Sequence, residues 1–146
     1  MRSMALDLGT RTIGIAVSDL TGLFAGGVET IRRAGEYKDF ARIDELVKSY
    51  EVDTLVIGYP KNMNGTIGER GKYSEQFAQW MQERYPAMNI VLWDERLSTV
   101  AAEKVLVAAE LSRKKRKTVI DKMAAVVILQ GYLDSRHMGR QSEANR

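Results

Sequence analysis

Met4-Ala5-Leu6-Asp7-Leu8-Gly9, followed through Thr10-Arg11 by Thr12-Ile13-Gly14-Ile15-Ala16-Val17-Ser18-Asp19, is the stretch on which the fold turns. The first run is apolar apart from Asp7 and has the length of a buried strand. The second alternates Ile13, Ile15 and Val17 with Gly14, Ala16 and Ser18, the period of two of a strand with distinct faces. The pair predicts a hairpin around Gly9-Thr10-Arg11. Phe24 to Arg32 supplies a third strand after the Thr21-Gly22 turn, although Gly26 and Gly27 weaken its pattern.

Beyond Tyr37 the period changes. Phe40, Ile43, Leu46, Val47 and Tyr50 share one helical face, with Lys38, Asp39, Arg42, Glu45 and Lys48 directed away. Val52 to Gly58 is a short apolar run suited to a central parallel strand. A long, turn-rich connection, Tyr59 to Gly68, precedes a second amphipathic helix with Tyr73, Phe77, Trp80 and Met81 inward. Met88 to Trp93 is a fifth strand. Ser98 or Thr99 is placed to cap a helix through Glu110, and Thr118 to cap a last one through Leu133. The order β-β-β-α-β-α-β-α-α predicts an α/β domain: a five-stranded mixed sheet, three antiparallel strands and then parallel ones, flanked by helices.

The chain has 146 residues, 45% hydrophobic and 28% charged, the balance of an ordinary globular domain. Residues 1–138 are expected to form that single domain and residues 139–146 a polar, flexible tail. No apolar stretch approaches the ~20 residues needed to cross a bilayer, and a cytoplasmic location with no membrane partner is expected. With no cysteine, a metal would be held by oxygen or by His137, the one histidine, which lies in a polar segment and is expected to be solvated. Oxygen-only ligation favours Mg²⁺ or Mn²⁺ over Zn²⁺.

Asp7 is the anomaly in this pattern. An unpaired charge in a buried strand costs several kcal/mol, or is neutralised by taking up a proton. A metal or phosphate site would offset that cost. Asp94 and Glu95 follow the fifth strand, and ligands of such sheets gather at the carboxyl ends of strands. Asp7 and this pair therefore face one crevice, with Asp121 at the start of the last helix above it. Carboxylates converging in this way repel one another unless cations intervene, and two divalent ions ~3.5–4 Å apart would also serve phosphodiester hydrolysis. Strand alternation sends Asp94 and Glu95 to opposite faces, so one of the two is expected to be a ligand. Asp121 stands three residues after Thr118, the spacing of a capping box, and on spacing alone capping is the stronger reading.

Asp7-Leu8-Gly9-Thr10-Arg11-Thr12-Ile13-Gly14-Ile15-Ala16-Val17-Ser18-Asp19 closely resembles the opening of the YqgF family, whose members are described as Holliday-junction-resolvase-like proteins and as pre-16S rRNA nucleases. The resemblance continues through Gly58-Tyr59-Pro60-Lys61-Asn62-Met63-Asn64-Gly65-Thr66, Asp94-Glu95-Arg96-Leu97-Ser98-Thr99 and Asp121-Lys122-Met123-Ala124-Ala125, in order along nearly the whole chain. It implies an RNase H-like fold and divalent-metal-dependent endonucleolytic cleavage. It also implies maturation of the 5′ end of the small-subunit rRNA precursor. The family's acidic positions fall on Asp7, the Asp94-Glu95 pair and Asp121, as catalytic and metal-binding residues. The better-known junction resolvases carry a glutamate at the end of the fourth strand, where this chain has Gly58, and the pair after the fifth strand is the candidate replacement.

Candidate nucleic-acid contacts are Lys61, Asn62, Asn64 and Arg70 near the long connection, Arg96, and the basic block Arg113-Lys114-Lys115-Arg116-Lys117. Cations of this kind bind nucleic acid through its phosphates. Tyr59 is placed to stack on a base, whereas Trp80 and Trp93 belong to the core. The expected partner is structured RNA, precursor rRNA or the small ribosomal subunit precursor, engaged by a monomer or homodimer. The alternatives are a DNA-junction resolvase and a non-catalytic RNA- or ribosome-binding module. Asp7-Leu8-Gly9-Thr10 is also similar to the phosphate loop of actin-like and sugar-kinase ATPases, which need two lobes where 146 residues supply one.

Overall fold

The computed structural model describes the backbone over residues 2–97 and 113–144, and side chains over 2–97 and 122–137. Strands β1 (Arg2–Leu8), β2 (Thr12–Ser18) and β3 (Ala25–Arg32) are followed by α1 (Glu36–Ser49), β4 (Val52–Tyr59), α2 (Glu69–Arg84) and β5 (Asn89–Asp94). A single 3₁₀ turn, Glu95–Leu97, and helix α3, Arg113–Ala144, complete the described elements. The sheet order is β3-β2-β1-β4-β5. β1 pairs antiparallel with β2 and parallel with β4, and β5 is parallel to β4. The expected five-stranded mixed sheet, with the Asp7 strand at its centre, is what the chain forms.

Alternation along the strands divides the core. Met4, Leu6, Leu8, Ile13, Ile15, Leu55 and Ile57 face α1 and α2, where Ile43, Leu46, Phe77 and Met81 meet them. Phe77 is fully buried, with its ring edge-on to Phe40 at 5.6 Å between centroids. The opposite face presents small residues, Ala5 and Ala16, together with Val56, to Ala124, Ala125, Ile128, Leu129, Tyr132 and Leu133 of α3. These helical positions recur at intervals of three to four, one stripe of the helix. Small residues on both surfaces let α3 lie close to the sheet.

Two expectations are corrected. Thr118 does not cap the last helix and Asp121 does not open it: α3 begins at Arg113, because the Arg/Lys block consists of good helix formers with no breaker before Thr118. The backbone stays helical through Ala144, so residues 139–144 continue α3. Asp39, expected to point to solvent, is 3% exposed, accepting from the Ala34 amide at 2.9 Å with Arg33 Nε 3.6 Å away. The helix expected from Ser98 or Thr99 to Glu110 lies outside the described residues.

Removing the Phe77 ring leaves a cavity between β4, α1 and α2. Phe77→Ala should therefore lower the unfolding free energy by about 3–5 kcal/mol in a denaturant titration; a loss under about 1 kcal/mol would mean the aromatic cluster is not central to the core.

Candidate active site

Asp7 lies at the carboxyl end of β1. Leu6 and Leu8 point to the α1–α2 layer and Ala5 to the α3 layer, so alternation turns Asp7 towards α3. Its residue is 8% exposed. On one side it is paired with Gly14 of β2. On the other, Leu6 pairs with Ile57, which makes Gly58 the next residue alongside Asp7. The aspartate is thus flanked on both neighbouring strands by residues with no side chain, and the sheet is open around its carboxylate.

The Gly58 side of that opening is occupied from β5. Trp93 pairs with Gly58, and the 3₁₀ turn after Asp94 carries Glu95 back over it. A Cβ at position 58 would lie 2.7 Å from Glu95 Oε1 and 2.8 Å from Ile128 Cδ1 of α3, closer than real Cβ contacts. Any side chain here would push aside the Glu95 carboxylate and the tip of Ile128. The Glu95 carboxylate stands where a side chain from the fourth strand would otherwise project, on the same face as Asp7.

Asp94 sits on the other face. Arg96 donates to it through Nη2 at 2.9 Å, Nε at 3.2 Å and its backbone amide at 3.0 Å, and Lys61 Nζ lies 3.7 Å away. The Arg96 guanidinium holds the Asp94 carboxyl below the ordinary aspartate value, with Lys61 adding to the effect. Lys61 also rests over the Tyr59 ring, 5.2 Å from its centroid. Asn62 and Asn64 build the loop itself. Asn62 Nδ2 donates to Thr66 Oγ1 at 2.9 Å, Asn64 Oδ1 accepts from the Thr66 amide at 3.1 Å, and Gly65 takes a positive φ of 85°.

Two arginines reach the end of β1 from the α2 side. Arg70 Nη2 donates to the Leu8 carbonyl at 3.0 Å and Arg33 Nη1 to the Gly9 carbonyl at 2.8 Å. Arg33 also donates to the Tyr73 hydroxyl. Arg33 gave no signal in the sequence, because nothing local distinguishes it from Arg32, and only the return of β3 beside the hairpin brings it to Gly9. Asp121 is on α3 and the block Arg113 to Lys117 forms its first turns, but these side chains lie outside the described residues.

The donor set fits a hard divalent cation rather than a soft one. Asp7 and Glu95 supply only oxygen, and His137 is at the opposite end of the strands, with Nε2 3.1 Å from the Gly22 carbonyl. Among the described residues no three Asp, Glu or His side chains converge. The two carboxylates on the α3 face are the part of the expected constellation that those residues bring together.

A family model named RuvX, described as Holliday junction resolvase, matches residues 1–135. The chain belongs to the RuvX family. Membership makes it a nuclease, as the resemblance read from the sequence implied. Proteins of Bacillus thuringiensis (strain Al Hakam) and Bacillus anthracis (strain A0248) are 58% identical over 138 residues, 93% of this chain and 100% of theirs, and each carries the name "Putative pre-16S rRNA nuclease". Two solved structures share the fold. RuvC of T. thermophilus in complex with Holliday junction substrate has a TM-score of 0.61 and 14% identity, covering 95% of this chain and 96% of that one. Fowlpox virus resolvase has a TM-score of 0.51 and 9% identity, covering 92% and 98%. The RNase H-like architecture follows from that likeness.

Gly58→Ala should lower cleavage at least tenfold by displacing Glu95, while costing only about 1–3 kcal/mol of stability from overpacking; unchanged cleavage would separate Glu95 from the chemistry. Because its folded pKa is depressed, Asp94 contributes stability above its ordinary value of 3.8, a contribution lost as pH falls through the folded value. Arg96→Gln should move the Asp94 titration upward when followed by carboxyl NMR, and an unmoved titration would remove Arg96 as the cause.

Proposed function

We propose that the protein is a divalent-metal-dependent endonuclease that hydrolyses phosphodiester bonds of structured RNA during 5′-end maturation of pre-16S rRNA. The observation that carries this reading is the placement of Asp7 and of the Glu95 carboxylate on the α3 face of the sheet, at the carboxyl ends of its strands and with glycine on both sides of Asp7. The names of the relatives at 58% identity favour precursor rRNA as the substrate. The small ribosomal subunit precursor is the corresponding partner. That no helix among the described residues is long and apolar enough to cross a membrane is compatible with a cytoplasmic site of action.

Asp7 and Glu95 hold Mg²⁺ or Mn²⁺ in this reading, with Asp121 as the third carboxylate. Asp121 precedes Ala124, Ala125 and Ile128 by three, four and seven residues, the spacing of one helical face, and that stripe packs against Val56 and Gly58. Bound there, the metal supplies an activated water and neutralises charge on the leaving oxygen. The chain's own work is positional. β1 fixes Asp7 from the middle of the sheet, and the 3₁₀ turn sets Glu95 against Gly58. Asp94 keeps Arg96 and Lys61 at the rim, where their cations attract the phosphodiester backbone. Arg113 to Lys117 extend that attraction along the first turns of α3.

Asp7→Asn and Glu95→Gln should each reduce Mg²⁺- or Mn²⁺-dependent cleavage of a precursor rRNA fragment by roughly a hundredfold or more, the scale of losing several kcal/mol of charge stabilisation. Asp94→Asn should cost less than about tenfold, since it faces Lys61 and Arg96. The thermal transition of Asp7→Asn should stay close to that of the parent, because asparagine keeps the volume of the side chain and one acceptor oxygen. Cleavage by Asp7→Asn at the parental rate would refute the assignment. The family description favours one second reading, a resolvase of DNA junctions. Faster cleavage of a four-way junction than of the rRNA fragment would make it the first.

A further inference from the structure

A cavity of about 330 Å³ opens on the α2 side of the β1–β2 turn, lined by Leu8, Gly9, Thr10, Arg33, Arg70 and Tyr73. That is the small end of ligand-pocket sizes, room for one nucleotide and too little for a duplex. We infer that this cavity is a nucleotide subsite, taking the phosphate and unstacked base of the residue next to the scissile bond. The inference rests on the nuclease reading of the Asp7–Glu95 face and gives that face a neighbour.

The position follows from β1. Asp7 turns to the α3 side, Leu8 to the α2 side, and Gly9 and Thr10 form the crest between. The α3 side of the crest carries the carboxylates of Asp7 and Glu95, and the α2 side the guanidinium groups of Arg33 and Arg70. A polynucleotide laid across it presents its scissile phosphate to Asp7 and Glu95 and the adjoining phosphate to Arg70. Arg70 uses one N–H on the Leu8 carbonyl, and the planar guanidinium carries further donors in the geometry that matches phosphate oxygens. Its own anchoring to β1 ties the phosphate contact to the strand that bears Asp7.

The remaining walls suit a base. Arg33 lies over the Tyr73 ring, 5.2 Å from its centroid, and donates to the Tyr73 hydroxyl, which makes a preordered flat surface. Such guanidinium–aromatic surfaces stack unpaired bases, the mode by which proteins read single-stranded RNA segments. Leu8 closes the cavity with apolar surface. Glu69, also at its rim, offers an acceptor to an exocyclic amine or a ribose hydroxyl.

The test is a titration of the ¹⁵N-labelled full chain with adenosine monophosphate, and separately with inorganic phosphate, without divalent ions. Saturable shifts are expected at Gly9, Thr10, Arg70 and Tyr73, with a Kd on the order of millimolar and at least tenfold weaker binding of phosphate alone. Arg70→Ala should weaken the nucleotide at least tenfold, and Arg70→Lys should restore part of the loss; Arg70 is exposed, and an unchanged thermal transition would confirm that the variants fold. Shifts elsewhere, no saturation, or parental affinity in Arg70→Ala would overturn the subsite. Equal affinity for phosphate alone would overturn its assignment to a nucleotide. Asp7→Asn should bind the nucleotide as the parent does. A cavity that binds nucleotide in a chain whose Asp7→Asn variant still cleaves RNA at the parental rate would sink the assignment of Asp7 to the chemistry and leave this one standing.

Discussion

The parallel pairing of β1 with β4 is the constraint on which the rest depends. It sets Leu6 beside Ile57, and therefore Asp7 beside Gly58, in the middle of the sheet. A slip of one residue in this register would exchange the faces of every side chain on β1. Leu6 and Leu8 would then meet α3, where only small residues fit, and Asp7 would be driven into the layer filled by Phe77 and Met81. Core packing and site geometry are thus secured by the same hydrogen-bonded ladder.

Close packing of α3 on the sheet ties stability to chemistry in a second way. Ala5, Ala16, Gly14 and Gly58 keep one face of β1, β2 and β4 low, so that Ile128 can approach to where a Cβ on Gly58 would collide with it. The same low surface leaves space around the Asp7 carboxylate and admits Glu95 from β5. A bulkier residue at Gly58 would strengthen neither the core nor the site.

Among the described residues, several cations border the carboxyl end of β1. Arg96 and Lys61 are held by Asp94, Arg33 by Asp39 and Tyr73, and Arg70 by the Leu8 carbonyl. Each is fixed by a neighbour rather than waving from the surface, which lowers the entropy lost on engaging a phosphate. The result is a carboxylate-lined face bordered by ordered positive charge, the distribution a polyanion with one reactive phosphate requires.

The order of the elements, the antiparallel opening and the central place of the Asp7 strand were legible from hydrophobic period alone, because strand and helix impose periods that short windows record. Asp7 announced itself because a carboxylate among Met4, Ala5, Leu6 and Leu8 has no local use. The distinction between Asp94 and Glu95 was only half legible: alternation said that they part, but which one meets Asp7 depended on the curl of the 3₁₀ turn over Gly58, a contact between residues far apart in the chain. The start of α3 was misread for the opposite reason. A cap is a local signal of modest energy, and the stripe of residues packing on the sheet, with a run of strong helix formers ahead of it, outweighs it. Arg33 stayed invisible, since its partners, Gly9, Asp39 and Tyr73, are gathered by three separate elements. What the chain declares in one dimension is period and chemical oddity. Which odd residues become neighbours is decided by register and packing, and these exist only once the sheet has closed.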